Sequence, residues 1–240
     1  MAFILPIEEP WTRQPQETGG IDWSNPMTKG IVFCHSAPKV YDEFVRVLSG
    51  VTVAGPGVIT TSKVGLVRQL SSSVAQKFGT VGNIGFVQQA SILVLFQRTA
   101  TLGSYARLFD TRQAGDGIAY FLNSGGAGQN AVRLIATTNS THHDISGTFS
   151  DTSKPTIGIV TIDSGELSLY EGATRIANST TSSGNLIQTT TNSFLNGSEN
   201  AASVVSPFNG WIALTVLWNR RLTPSEVATL GVNPWQIFAP

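Results

Sequence analysis

The chain contains a single cysteine, Cys34, so no disulfide can form within it. Charged residues are also scarce, at 12% of the chain, and the formal net charge is zero. Proteins that bind nucleic acid need clustered lysine and arginine to displace counterions from phosphates. The sequence has no such cluster, so nucleic acid is not expected as a partner.

Long hydrophobic runs are missing as well. No stretch approaches the roughly 20 apolar residues of a membrane-spanning helix, so membrane insertion is not expected. The apolar run at residues 3–7 is short, has no basic residues before it and is followed by Glu8 and Glu9. A secretory signal has a different pattern. We therefore expect the protein to be made and folded in a cytoplasm.

Short runs of β-branched and aromatic residues dominate the rest, with glycine-rich turns between them. Regularly spaced short strands of this kind indicate an antiparallel sandwich or barrel, in one large domain. A short helix is predicted at residues 41–48. The predicted strands lie at residues 30–36, 58–61, 65–70, 76–78, 90–98, 106–112, 118–123, 131–137, 144–149, 156–163, 166–171, 174–180, 193–196 and 210–218.

The last thirty residues carry the clearest pattern. The run Gly210–Trp218 is apolar on both faces, which is typical of a strand inside a packed structure. A helix is predicted next, with Thr223 as its N-cap, Pro224 at its first position and Glu226 completing a capping box. Gly231 is expected to end this helix.

The proline-punctuated stretch 1–28 has no strand or helix periodicity. Its tryptophans, Trp11 and Trp23, would expose large apolar areas on a free tail, so we expect an extended arm docked on the body or on a neighbouring subunit. Residues 232–240 form a second, aromatic tail with Trp235 and Phe238. These four aromatic residues are the predicted assembly contacts.

Two motifs resemble those of concanavalin A-like lectin/glucanase (laminin G-like) domains. The sequence Leu-Tyr-Glu-Gly at 169–172 follows a predicted hairpin, as in that family. The closing sequence Phe-Asn-Gly-Trp-Ile at 208–212, followed by Arg-Leu-Thr-Pro-Ser-Glu-Val at 221–227, is similar to the family's last strand and helix. The resemblance implies a jelly-roll sandwich over residues 29–231, between the two arms.

The flanking segments are similar to those of laminin G-like proteins from tailed bacteriophages and prophages. The similarity covers Pro-Trp-Thr-Arg-Gln-Pro-Gln at 10–16, Ile-Asp-Trp-Ser-Asn-Pro at 21–26, and Asn-Pro-Trp-Gln-Ile-Phe at 233–238. This resemblance implies a virion protein, made in the host bacterial cytoplasm, with other virion proteins and further copies of itself as partners.

Catalysis is the first chemistry to weigh, because the family includes glucanases. Those enzymes resemble one another in a Glu-x-Asp-x-x-Glu strand whose carboxylates flank the glycosidic bond, and no Glu-x-Asp occurs here. Asp163 and Glu166 straddle a turn, so we interpret them as a solvated hairpin tip. A Ser-His-Asp triad stays open on composition, but no Gly-x-Ser-x-Gly elbow is present.

Metal ligands are equally sparse. His142, His143 and Asp144 form the densest cluster, but adjacent strand residues point to opposite faces, which favours a surface position over a metal site. Asp110, Asp116 and Asp151 are possible calcium ligands without supporting spacing. No metal and no cofactor is therefore expected.

Sugar binding would use an exposed aromatic residue beside polar side chains. Tyr105, Arg107 and Arg112 are the candidates by position, whereas Tyr120 is expected in the core. The leading hypothesis is a non-catalytic virion structural protein, a capsid decoration or a short head or tail appendage, with possible glycan binding. The alternative is a host-glycan-binding module of a tail fibre, and a glycan-cleaving enzyme is less favoured.

Overall fold

Strands make up most of the backbone that the structure describes. The structure, a computed structural model, describes residues 20–36, 53–54, 58–71, 76–80, 89–111, 117–138, 141–163, 166–180, 193–196 and 206–238. The elements are β1 (Ile31–Ser36), β2 (Val53–Ala54), β3 (Val58–Ser62), β4 (Gly65–Leu70), β5 (Gln76–Thr80), β6 (Ala90–Arg98), β7 (Ala106–Asp110), β8 (Ile118–Leu122), β9 (Ala131–Thr138), β10 (Thr141–Thr148), β11 (Thr156–Asp163), β12 (Glu166–Glu171), β13 (Thr174–Ser179), β14 (Ser193–Asn196), β15 (Gly210–Trp218) and α1 (Pro224–Val232).

The strands pair into two antiparallel sheets. The first sheet has the order β13-β12-β11-β6-β15-β4-β3, with β1 also paired to β15, and the second has the order β10-β9-β8-β7-β14-β5-β2. Buried residues from both sheets form one cluster between them. The predicted fold class, an all-β antiparallel sandwich with one short C-terminal helix, is confirmed.

β15 occupies the centre of the first sheet. One of its edges pairs with β6, and its other edge pairs with β4 near Gly210 and with β1 near Trp218. All nine of its residues are buried. A strand covered on both faces and paired on both edges needs apolar residues throughout, which is the pattern that the sequence shows.

The cluster between the sheets is rich in aromatic residues. Phe96 of β6 packs against Phe149 and Phe208, with ring centroids 5.7 and 5.8 Å away. Tyr120 of β8 is fully buried, as predicted, and its hydroxyl lies so close to Gly158 that a Cβ there would approach it to 2.2 Å. Burial raises the pKa of the Tyr120 phenol, and the nearby Glu171 carboxylate raises it further.

A second cluster covers the other side of the first sheet. It joins Trp211 and Trp218 of β15 to Val227 and Leu230 of α1, and it also contains Cys34. Burial raises the pKa of the Cys34 thiol, in keeping with a core residue. The helix therefore covers the outer side of the first sheet. It does not cover the outer side of the second sheet.

The segments at residues 20–28 and 233–238 pack against each other and on this second cluster. The amide of Asp22 donates to the Ile237 carbonyl at 2.9 Å, and the indole Nε1 of Trp218 donates to the Met27 carbonyl at 2.8 Å. Trp235 and Phe238 are only 4% and 5% exposed. These two predicted assembly contacts are thus core residues of this chain, because the tail folds back onto β15.

Trp23 differs from them, since 62% of its surface is exposed. It sits in a turn held by hydrogen bonds from the amide and hydroxyl of Ser24 to the carboxylate of Asp22. Trp11 and the helix expected at 41–48 lie outside the described residues.

α1 begins as predicted, with a capping box between Thr223 and Glu226 and with Pro224 in the first turn. The prediction that Gly231 ends the helix was wrong, because α1 continues to Val232 and Asn233 is its C-cap. A Cβ on Gly231 would lie 2.2 Å from the carbonyl carbon of Gly172. Gly231 is therefore needed for close packing on the β12–β13 turn. No helix in the described part of the chain is long and apolar enough to cross a membrane.

The replacement Gly231→Ala tests this contact. Alanine favours a helix, yet its Cβ would meet backbone atoms that cannot move aside, so we expect a loss of about 1–3 kcal/mol in the free energy of unfolding. Urea denaturation measures it. Gly103→Ala is the matched control, because a Cβ there meets nothing within 4 Å. Equal stability of the two variants would contradict the packing role.

The start of α1 carries a pH dependence. Nη2 and Nη1 of Arg220 donate to the two carboxylate oxygens of Glu226, at 2.7 and 2.9 Å. These hydrogen bonds lower the pKa of Glu226 from its ordinary value of 4.5. Folding therefore favours the ionised form. The resulting stabilisation is complete above about pH 4.5, the value of the unfolded chain, and is lost as the pH falls through the lower folded value.

We expect Glu226→Gln to be less stable than the unchanged chain at pH 7, and the difference to shrink below about pH 4.5. Urea denaturation at a series of pH values checks this. Val227→Ala, which truncates a buried apolar side chain of the same helix, should show a deficit that does not change with pH. A constant deficit for Glu226→Gln as well would overturn the assignment.

Candidate functional site

The outer side of the second sheet carries the candidate residues, and a β-bulge in β7 creates their arrangement. Arg107 pairs with Phe121 and Asp110 pairs with Ala119, with one extra residue in β7 between them. Residues three apart in a regular strand point to opposite faces. The bulge puts Arg107 and Asp110 on the same face, where Arg107 Nε lies 2.8 Å from Asp110 Oδ2.

This ion pair is buried, with side-chain exposures of 4% and 0%. The Arg107 guanidinium also lies 4.5 Å from the centroid of the Phe121 ring, and its Nη1 donates to the Tyr105 carbonyl at 3.1 Å. Cation–π contact and hydrogen bonding together satisfy a charge that would be costly to bury alone. Arg107 is thus a support for the backbone at Tyr105 and does not face solvent.

Tyr105 is the exposed aromatic residue of this region, with 42% of its surface accessible. Its backbone is left-handed, with φ 62°, a strained conformation for a tyrosine. The amide of Tyr105 donates to the Asn123 carbonyl at 3.0 Å, and its ring packs edge-on against Phe121, with centroids 5.8 Å apart. Backbone strain of this kind persists only where surrounding contacts hold it, and it concentrates at functional sites.

Polar side chains of β9 and β10 continue the surface. Arg133 is the cross-strand neighbour of Phe121 on one side and of Ser146 on the other. Its Nη2 donates to Asp144 Oδ2 at 2.8 Å, and its Nη1 lies 3.4 Å from the hydroxyl of Ser124. We define the Tyr105 face as the surface formed by Tyr105, Ser124, Arg133, Asp144 and Ser146.

The structure thus brings two of the three predicted sugar-binding residues together, Tyr105 as an exposed ring and Arg107 as its buried support. Arg112 lies outside the described residues. Sequence reasoning missed Arg133 and did not consider Asp144 for this site. Alternation along β9 places Arg133 opposite the core residues Val132 and Leu134, but its position beside Phe121 depends on the strand register.

Of the histidine pair, the His142 side chain lies outside the described part of the structure. His143 is buried on the inner side of β10, since it has the same parity as the core residue Ile145, whereas Asp144 is exposed on the outer side. Asp151 lies in the β10–β11 loop, where it binds Ser153 and Lys154, away from the buried Asp110. Within the described ranges, no group of three or more potential metal-binding side chains occurs.

Asp163 and Glu166 are not simply a solvated tip, and this interpretation needs correction. Both contact Arg221, with Asp163 Oδ2 at 3.6 Å and Glu166 Oε2 at 2.6 Å, and each is only 24% exposed. Arg221 and then Ser168 lower the pKa of Glu166. The two carboxylates therefore fasten the β11–β12 hairpin to the turn before α1.

An open cleft of about 290 Å³ lies elsewhere, between the loop before β11, the β12–β13 turn and the end of α1. Its charged residues are already engaged: Glu171 accepts hydrogen bonds from the amide and hydroxyl of Ser150, and Asp151 is paired with Lys154. None of the described residues that line it is aromatic. We therefore favour the Tyr105 face as the functional site.

Solved structures of other proteins share this fold. The binding domain of Paraclostridial Mosquitocidal Protein 1 has a TM-score of 0.65 at 15% identity, over 85% of this chain and 52% of that one. The receptor binding domain of botulinum neurotoxin mosaic serotype C/D has a TM-score of 0.67 at 12% identity, over 85% and 51%. The chain thus spans about half the length of these toxin domains.

Domain 4 of AbnA, an extracellular GH43 arabinanase from Geobacillus stearothermophilus solved with arabinotriose, has a TM-score of 0.59 at 17% identity. The likeness covers 84% of this chain and 98% of that domain. No curated protein sequence matches the chain. The family model of the concanavalin A-like lectin/glucanases superfamily, in its laminin G form, matches residues 80–228, which is more than half of the chain. The chain therefore belongs to this superfamily.

Proposed function

We propose that the protein is a non-catalytic glycan-binding module and that the Tyr105 face holds the sugar. The observation that carries the proposal is an exposed tyrosine, fixed in a strained backbone conformation, next to an arginine–carboxylate pair. An aromatic ring offers its face to the apolar C–H groups of a sugar, and nearby polar groups bind the hydroxyls.

Preorganisation supports this assignment. Tyr105 is held through its carbonyl by Arg107, through its amide by Asn123 and through its ring by Phe121. Asn123 is itself buried, and its side chain donates to the carbonyls of Leu102 and Gly103 at 3.1 and 3.2 Å. A ring that is already in place loses little conformational entropy when a ligand stacks on it.

The arabinanase domain adds support at the level of architecture. It corresponds to this chain over nearly its whole length, and it was solved with arabinotriose. At 17% identity the likeness is one of fold, so the position of the sugar site here depends on the residues of the Tyr105 face.

The carboxylates of this side of the sheet favour binding over hydrolysis. Asp110 and Asp144 are each paired with an arginine at 2.8 Å. Glycoside hydrolysis by the usual route needs two carboxyl groups that flank the scissile bond, whereas here Asp110 is fully buried and only Asp144 is exposed. Asp144 therefore suits recognition of sugar hydroxyls, whereas Asp110 holds Arg107 in place.

A second role, as a virion structural protein, is favoured by Trp23. This side chain is 62% exposed on a segment that is firmly fastened to the body, so its exposure does not come from a loose end. Exposed tryptophans on rigid segments are typical anchors of protein interfaces. We propose capsid or tail proteins as the partners, with Trp23 as the contact.

The glycan proposal is tested with a glycan array and calorimetry on the full chain. We expect Tyr105→Ala to abolish binding, because stacking on an aromatic ring supplies much of the affinity in an open site. Trp23→Ala is the matched control: it removes an exposed aromatic residue from the opposite side of the sandwich and should bind as before. Binding that survives Tyr105→Ala would refute the site.

The virion role is tested by incorporation. Particles from a host that encodes the protein should contain the unchanged chain and should contain several-fold less of Trp23→Ala, as measured by mass spectrometry of purified particles. Tyr105→Ala should be incorporated normally. Equal amounts of all three chains would exclude Trp23 as the anchor, and absence of the unchanged chain from particles would exclude the role itself.

A further inference from the structure

We infer that the Tyr105 face recognises sugars through adjacent neutral hydroxyls and gains no affinity from a carboxylate such as that of sialic or uronic acids. The inference deepens the proposed glycan-binding function and rests on it. It follows from the charges on this side of the sheet and from the hydrogen-bonding groups that they leave available.

Among the residues that the structure describes, the charges of this region cancel in pairs. Arg107 and Asp110 lie 2.8 Å apart and are buried, so this pair presents no net charge to a ligand. Arg133 and Asp144 are also 2.8 Å apart, with side-chain exposures of 30% and 48%. An anionic sugar would gain attraction from Arg133 and suffer repulsion from Asp144 at nearly the same distance, so the two contributions largely cancel.

The hydrogen-bonding groups of the exposed pair match a diol. Asp144 uses Oδ2 to accept from Arg133, and its carboxylate is exposed enough to accept from a sugar hydroxyl as well. Arg133 is a donor only, and its side chain is 30% exposed, so its guanidinium can also donate to a sugar hydroxyl. Two neighbouring hydroxyls can serve both partners, one by donating to the carboxylate and the other by accepting from the guanidinium.

The hydroxyl-bearing neighbours extend the same chemistry. Ser124 lies within 3.4 Å of Arg133 Nη1, and Ser146 is exposed directly across from Arg133 on β10. Both side chains can donate or accept, as sugar hydroxyls do. Tyr105 lies at one end of the row of polar side chains on the Tyr105 face. The sugar ring therefore stacks on Tyr105, and the hydroxyls of the sugar point towards β10.

The experiment uses a glycan array that pairs each neutral oligosaccharide, such as lactose or arabinotriose, with a sialylated or uronate-containing counterpart. We expect the full chain to bind neutral members, with no gain from a carboxylate. Calorimetry should then give an affinity that does not change with added salt, because no net charge is neutralised on binding.

Asp144→Asn provides the decisive variant. It removes the charged acceptor, so we expect neutral binding to weaken about tenfold. It also leaves Arg133 uncompensated, so sialylated glycans should bind better than they do to the unchanged chain. The thermal melting midpoint should stay the same, because an exposed ion pair contributes little to stability.

Asp151→Asn is the matched control, since it also removes an exposed carboxylate paired with a cation, but in the loop that lines the cleft. It should bind as the unchanged chain does. If Asp151→Asn loses binding while Asp144→Asn keeps it, the site is the cleft and the inference falls.

The failures of the two proposals are distinguishable. Preference for sialylated glycans that depends on Tyr105 would overturn the selectivity and leave the glycan-binding function standing. Absence of binding to every glycan on the array would overturn the function itself, and the selectivity with it.

Discussion

The burial of β15 on both faces is the constraint on which the rest of the structure depends. Leu217 and Ile212 face the core between the sheets, while Trp211, Val216 and Trp218 face the cluster under α1. Because both faces of β15 are apolar, the outer side of the first sheet must also be shielded from water. α1 and the segment at 233–238 cover that side. Within the described residues no α-helix covers the outer side of the second sheet, and the candidate site lies there.

The bulge in β7 links this scaffold to the site. It turns Arg107 and Asp110 to the same face, and the buried pair then holds both the Tyr105 carbonyl and the Phe121 ring. The exposed Tyr105 ring is thus positioned by the buried guanidinium of Arg107. The proposed sugar binding on this face would therefore depend on a local irregularity of the sheet and not on a loop that must order on binding.

The sequence allowed the strands to be predicted closely, because alternation and glycine turns are local signals. The bounds Thr156–Asp163, Glu166–Glu171 and Gly210–Trp218 agree with prediction to the residue. Gly231 was misjudged as a helix end because its role depends on Gly172, some sixty residues earlier, which no local pattern reveals. Burial of Trp235 and Phe238 was missed for the same reason, since their partners belong to β15 and to residues 20–28.

The site was predicted in part. Tyr105 and Arg107 were chosen by their position between early strands, but Arg107 is buried on the outer side of the second sheet, where the bulge brings Asp110 to pair with it. Arg133 and Asp144 became part of the site only through the register of β8, β9 and β10. Register is a long-range property, set by the packing of whole strands, so a single sequence without its partners cannot give it.

The pairing of β15 also bears on how the chain is made. β15 follows the other fourteen described strands in the sequence, yet β1, β4 and β6 pair with it directly. On a ribosome, those earlier strands leave the exit tunnel before their central partner exists. Their unpaired edges stay exposed to other chains during that interval, since loop closure over such distances is slow. The sandwich can therefore close only after β15 has been synthesised. Until then, neighbouring nascent chains can pair with the exposed strand edges and aggregate.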